Sequence, residues 1–162
     1  MSIKAVVITV SDACSRGERE DASGEALRRL LVDVGAEIVE SRILSDDLEP
    51  LVQVLKDFAE RGDVNLIITT GGTGLGPRDN TPEATQKVIE REVPGIAEAI
   101  RAESLKVTPM AMISRGVCGV RAGTLIINLP GSPKAVRESF AVIVPVLSHA
   151  TELLEGRTAH QA

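Results

Sequence analysis

Three runs of β-favouring apolar residues, Lys4–Val10 (KAVVITV), Val64–Thr70 (VNLIITT) and Thr124–Leu129 (TLIINL), each break off into a loop rich in Ser, Asp, Gly or Pro. Their apolarity is continuous rather than alternating, the pattern of strands covered on both faces. A weaker strand is predicted over 36–43. Between the runs lie stretches of helical period. Ala26, Leu27, Leu30, Leu31 and Val34 share one face, and Leu48, Leu51, Val52, Leu55, Phe58 and Ala59 share another. Strand and helix in alternation imply an α/β fold with a mostly parallel sheet and helices on both sides. Ligands bind such sheets beyond the carboxyl ends of the strands, so the loops that follow the strands are the candidates for function.

Two further features refine the layout. Val117–Arg121, separated from Thr124 by Ala122 and Gly123, has the spacing of a hairpin arm and would make the sheet mixed. A last helix is predicted from Ser132 to about Leu154, with Pro145 removing one backbone donor and kinking it. The chain of 162 residues shows no repeat or linker, and a fold of this size buries roughly 70% of its unfolded surface. A single domain over 1–156 followed by a flexible tail over 157–162 is the economical reading.

Composition narrows the partners. The formal charge of -5, with no dense Lys/Arg cluster, argues against nucleic acid. Two cysteines and two histidines form neither a disulfide framework nor a zinc-ligand spacing. With Phe58 and Phe140 as the only aromatics, no bound ring can stack on Trp or Tyr. The first apolar run is too short for a signal-peptide core, and none approaches the roughly 20 residues of a membrane span. The expected location is the cytoplasm.

The densest concentration of unusual residues is the loop between the strand ending at Thr70 and the helix start near Thr81. Gly71, Gly72, Gly74 and Gly76 let the backbone turn its amides toward one point, which suits a phosphate. The spacing matches neither a Walker loop nor a dinucleotide fingerprint, and a merely tight turn remains an alternative. Asp79 lies just beyond, beside the expected N-cap Thr81 and Pro82, where a carboxylate can also serve the helix dipole. Gly131, Ser132 and Pro133 repeat the strand-to-helix arrangement, with Lys134 adding charge, although an ordinary capped helix would look the same. Ser11 and Asp12 open a long loop that runs through Asp21 to Ser23 and Gly24. Asp46 follows the second strand, where Asp46 and Glu49 also have capping-box spacing. Asp12, Asp21, Asp46 and Asp79 could converge on one sheet edge. Carboxylates would repel a phosphate unless Mg²⁺ sat between them.

Three segments, ITVSDACSRGEREDASG (Ile8–Gly24), TTGGTGLGPRDNTPEA (Thr69–Ala84) and NLPGSPKAV (Asn128–Val136), resemble in sequence and order the MoaB/Mog family of molybdenum-cofactor biosynthesis proteins, related to the G domains of gephyrin and plant Cnx proteins. The resemblance implies a three-layer α/β/α sandwich that forms a homotrimer or homohexamer. It implies an enzyme that binds molybdopterin and transfers AMP from Mg-ATP to its terminal phosphate, giving adenylyl-molybdopterin and pyrophosphate. By the same resemblance Gly71, Gly72, Thr73, Gly74 and Gly76 would hold molybdopterin. Ser11, Asp12, Asp21 and Ser23 would line the pocket, and Gly131, Ser132 and Lys134 would contact nucleotide or phosphate. Asp46 and Asp79 would be the catalytic carboxylates and the Mg²⁺ ligands, with Asp47 competing with Asp46 for the pocket position. Other cofactor-assembly enzymes would be partners. A non-catalytic molybdopterin carrier is the alternative.

Overall fold

The computed structural model describes residues 2–157; the expected tail at 157–162 lies, apart from Arg157, outside the described residues. Three strands form the centre of the sheet. β1 (Lys4–Val10) buries six of its seven residues, and β3 (Leu66–Thr70) and β6 (Thr124–Leu129) bury all of theirs. This is the outcome that unbroken apolar runs require. β2 (Glu37–Leu44) is an edge strand with Glu37, Ser41, Arg42 and Ile43 exposed, so its sequence carries charge.

β2, β1, β3 and β6 run parallel and in that spatial order, followed by the antiparallel strand β5 (Cys118–Arg121) and then β4 (Arg91–Glu92). The expected hairpin is present. Arg121 pairs with Thr124 across a two-residue turn in which Ala122 (φ 48°) and Gly123 (φ 78°) both adopt left-handed backbone. That is the type I′ requirement, and alanine meets it at a cost of about 1–2 kcal/mol.

Helices cover both faces. α2 (Ala22–Asp33), α5 (Pro94–Leu105) and α6 (Pro133–Leu154) pack on one side, where Leu27, Leu31, Ile100, Phe140 and Ile143 meet Val7, Ile68 and Ile127. α3 (Leu48–Glu60) and α4 (Thr81–Val88) pack on the other, where Leu51, Leu55, Phe58 and Val88 meet Ile8, Ile67 and Ile126. Alternate residues of each central strand feed the two cores, and each fully buried aliphatic side chain contributes roughly 1.5–3 kcal/mol. α6 runs through Pro145, which lies on its solvent-exposed side, where the carbonyl left without a donor can reach water. Among the described residues no helix is long and apolar enough to cross a membrane.

The polar residues of the core are positioned as deliberately as the apolar ones. Asn128, buried on β6, donates its amide to the hydroxyls of Thr69 (3.0 Å) and Thr85 (2.9 Å) and accepts the Val117 amide (3.1 Å). One side chain thereby ties β6 to β3, to α4 and to the segment entering β5.

Candidate functional site

β1 leads to α2 on one face of the sheet, while its neighbour β3 leads to α4 on the other. Their loops separate at the carboxyl edge and leave a crevice there, as parallel sheets do where the strand order reverses. A cavity of about 400 Å³ occupies that point. Its volume is within the range of small-molecule sites.

The floor is the start of the glycine loop. Gly71 (φ 99°) could not be another residue, because a Cβ there would stand 2.3 Å from the Val10 carbonyl oxygen. A Cβ on Gly72 (φ 67°) would stand almost as close, 2.4 Å, to Thr81 Oγ1. Thr81 is the first residue of α4 rather than its expected cap, a position Asn80 takes without a side-chain capping bond. The Thr81 hydroxyl donates to the Gly71 carbonyl (2.9 Å) and its amide to the Gly72 carbonyl (3.1 Å), binding loop to helix.

Past Gly72 the loop folds back on Asp79, whose Oδ2 accepts the Gly76 amide at 2.9 Å. A Cβ on Gly74 or Gly76 would each meet that oxygen at 2.9 Å, so these two glycines make room for Asp79. Arg115 fastens the whole loop. It donates to the carbonyls of Gly74 (2.7 Å) and Asp79 (2.8 Å), gives its own amide to Thr73 (2.9 Å) and pairs with Glu83. The Arg115 guanidinium in turn holds the Glu83 carboxyl below the usual range.

Asp46 enters from the opposite side. The expected capping box does not form: Asp47 is the N-cap of α3 and makes no side-chain capping bond. Asp46 instead accepts the Asp12 amide on Oδ2 (2.9 Å) and gives its own amide to Asp12 Oδ1 (3.0 Å), while Asn80 bonds its carbonyl (2.9 Å). Asp47 turns away to Arg78, which also grips both oxygens of Asp12 at 2.8 and 2.9 Å. Arg78 lowers the Asp12 carboxyl to about 2 and lowers Asp47 as well. Partial burial, aided by the neighbouring charges of Asp12 and Asp79, raises Asp46.

The wall on the α2 and α6 side is built differently. Ser132 caps α6, its hydroxyl accepting the Ala135 amide (3.1 Å), and Gly131 lies against the Gly71 backbone. Ser11 caps a single helical turn, α1 (Asp12–Ser15), by accepting the Cys14 amide. Of the expected residues, the cavity therefore gathers Ser11, Ser23, Asp46, Gly71, Gly72, Asp79, Gly131 and Ser132. Asp12, Thr73, Gly74 and Gly76 stand one layer behind as supports. Asp21 caps α2 by accepting the Gly24 amide (3.0 Å), and exposed Lys134 faces Glu138 at 3.8 Å; neither lines the cavity.

Sequence reasoning passed over Thr9, Cys14, Arg19 and Glu20, which complete the α2-side wall. Thr9 is distinctive: its hydroxyl is buried and has no hydrogen-bond partner among the described residues. Its only sequence signal was a polar residue within an apolar strand.

The described residues contain no group of three or more His, Cys, Asp or Glu side chains able to hold a metal. Asp46 and Asp79 nonetheless fit a Mg²⁺ that takes its remaining ligands from water and substrate phosphates, since two carboxylates are its usual protein share.

A three-layer α/β/α chain with a glycine-floored crevice at its switch point, faced by two carboxylates, defines a class of binder for anionic small molecules. The chain is more specifically placed by its relatives. Residues 6–149 match the family described as "Probable molybdopterin binding domain", and the chain belongs to that family of molybdenum-cofactor biosynthesis. It is 38% identical over 152 residues to the molybdopterin adenylyltransferase of Helicobacter pylori, covering 93% of this chain and 86% of that protein. It is 44% identical over 154 residues to the molybdenum cofactor synthesis protein cinnamon of Drosophila melanogaster, where it covers 94% of this chain but spans only 26% of the fly protein. Among solved structures, the molybdopterin biosynthesis enzyme MoaB of Thermus thermophilus superposes with a TM-score of 0.89 at 48% identity, over 95% of this chain and 97% of that one.

Proposed function

We propose that this chain is a molybdopterin adenylyltransferase, which joins the terminal phosphate of molybdopterin to the α-phosphorus of ATP and releases pyrophosphate. The observation that carries the reading is that Asp46 and Asp79 line one cavity together with Gly71 and Gly72 of the glycine loop, near enough for the charge of Asp79 to raise Asp46. Relatives whose own length the match covers to 86% and 71% bear that name.

The chemistry asks little of general acids or bases. The attacking phosphate oxygen is already an anion; it forms the new P–O bond as the bond from the α-phosphorus to the bridging oxygen breaks, and pyrophosphate leaves with that electron pair. The protein's task is to align the two phosphates and neutralise their repulsion. Gly71 and Gly72 would bring backbone close to the ligand, Ser11, Ser23, Gly131 and Ser132 would line its sides, and Thr73, Gly74 and Gly76 would keep Asp79 in place. Asp46 and Asp79 would hold Mg²⁺, which, when bound, supplies positive charge to the reacting phosphates. Asp46 is suited to this because burial beside two other carboxylates makes its charge costly until a cation arrives. The same reading takes the chain to act in the cytoplasm as a homotrimer or homohexamer, which light scattering tests.

Incubation with molybdopterin, ATP and Mg²⁺, followed by chromatography, is the direct test. Adenylyl-molybdopterin and pyrophosphate in equal amounts support the proposal. Tight pterin binding without either product would instead make the chain a carrier.

A further inference from the structure

The cavity has two chemically unlike walls. On the α3 and α4 side stand the carboxylates Asp46 and Asp79; on the α2 side stand Thr9, Arg19 and Ser23. Arg19 is the only cationic side chain among the described residues that line the cavity.

Five other basic residues near the cavity already have partners. Arg16 is held by both oxygens of Glu18, at 2.9 and 3.0 Å. Arg28 faces Asp21 at 3.4 Å, Arg78 bridges Asp12 and Asp47, and Arg115 pairs with Glu83. Lys134 faces Glu138. Against these five, Arg19 has neither an ion pair nor a side-chain hydrogen bond among the described residues, although Glu20 is its immediate neighbour. A second observation lies in the same wall: the Thr9 hydroxyl is buried without a partner. That hydroxyl is packed beneath Gly24, where a Cβ would stand 2.3 Å from it, so Thr9 shapes this wall and leaves the reaching of a ligand to Arg19.

We propose that Arg19 is the phosphate-binding side chain of this cavity, receiving a phosphate of one of the two substrates opposite the carboxylate wall. The inference rests on the adenylyl-transfer reading for the identity of the substrates, but not for the chemistry of the contact. A guanidinium offers paired N–H donors that match two phosphate oxygens. Its free-state exposure lets it close onto the ligand without first breaking an ion pair. Its charge also removes part of the penalty that Asp46 and Asp79 impose on any polyanion entering the crevice.

The test compares the full chain with Arg19→Gln and Arg19→Lys. Calorimetric titration with pyrophosphate reads the contact without turnover. Arg19→Gln is expected to weaken pyrophosphate binding roughly ten-fold, the worth of one charge-assisted hydrogen bond, and Arg19→Lys to recover most of the loss. In turnover, Arg19→Gln should raise one KM by a similar factor with little change in kcat. A rise confined to ATP assigns the contact to the triphosphate, and a rise confined to molybdopterin assigns it to the pterin's phosphate. Unchanged pyrophosphate affinity with both KM values unmoved overturns the proposal, as does a wild-type chain that binds no pyrophosphate or an Arg19→Lys variant as impaired as Arg19→Gln. Should the wild type bind pyrophosphate through Arg19 yet make no adenylyl product, the function proposed above fails while this contact stands.

Discussion

Asp12 and Asp46, thirty-four residues apart in the chain, hold each other by exchanged bonds: each backbone amide donates to the other's carboxylate, at 2.9 and 3.0 Å. The exchange locks the end of β1 to the end of β2 and fixes which aspartate of the Asp46-Asp47 pair faces the cavity. Arg78, bound to Asp12 and Asp47 but not to Asp46, leaves Asp46 as the less compensated carboxylate.

Asp46→Asn and Asp79→Asn should therefore fold, because an amide oxygen can still accept the bonds that each carboxylate accepts from a backbone amide. Each should lose at least roughly 100-fold in kcat, the scale of removing a group that stabilises charge in a transition state. Circular dichroism and pterin binding would check the fold and initial rates the loss. Wild-type turnover in either variant would remove that residue from the reaction.

The Arg78 cluster should show itself in acid. Asp12 sits at about 2 against an ordinary 3.8, so it binds its proton more weakly folded than unfolded. Its contribution is complete above the unfolded value, near pH 4, and disappears as pH falls toward about 2. Because the pair is exposed, the contribution is small. The thermal midpoint of the wild type should exceed that of Arg78→Gln slightly above pH 4, and the two should converge by about pH 2. A gap that stays constant across this interval would show that Arg78 acts by packing alone.

Gly71→Ala and Gly35→Ala provide a matched pair. Both glycines have positive φ, 99° and 82°, but a Cβ at 71 meets the Val10 carbonyl oxygen at 2.3 Å, while at 35 it meets nothing within 4 Å. Gly35→Ala should cost about 1 kcal/mol of left-handed strain. Gly71→Ala must also displace backbone at the centre of the sheet and should cost at least about 3 kcal/mol or prevent folding. Urea denaturation distinguishes them, and equal losses would mean that the close approach is not needed.

The contrast between those glycines shows how much the sequence could carry. The three apolar runs, the hairpin at Ala122 and Gly123, the Ser132 cap and the glycine loop were legible because each depends on residues adjacent in the chain. α5 was not, since only Ala97 and Ile100 of its residues are buried and its apolar stripe is too thin to register. β4 is two exposed residues that become a strand only by pairing with β5. Within the site, the loops were legible and their cross-links were not. Arg115 reaches back to Gly74 and Asp79 from beyond α5, and Asp46 meets Asp12 across two strands; neither pairing leaves a local pattern. Asp21 and Lys134 drew attention by type and position, yet one serves a helix cap and the other the helix surface.

Ala122 is an alanine where the turn asks for asparagine or glycine. With φ at 48° beside Gly123, it holds the left-handed conformation at a cost that asparagine tolerates better. Ala122→Asn should raise stability by about 1 kcal/mol, seen as a higher urea midpoint at unchanged slope. A lower midpoint would show that the side chain itself matters there, for instance to the bond from the Ala122 amide to Glu90 at 3.3 Å.

The two cysteines offer a probe of the cavity that does not depend on turnover. Cys118 is buried on β5, and burial pushes its thiol up to about 12, so it should be inert in the folded chain. Cys14 is half-buried, lines the cavity and donates its thiol to the Glu20 carbonyl at 3.7 Å. A neutral maleimide should therefore modify one thiol per native chain and two in denaturant, and Cys14→Ser should abolish the native reaction. Molybdopterin or Mg-ATP seated against Ser11 and Ser23 would cover Cys14, so saturating ligand should slow its modification several-fold. Mass spectrometry of the modified chain identifies the site. An unchanged rate at saturating concentrations of both ligands would mean that neither occupies the α2-side wall, and would count against the contact assigned to Arg19 as well.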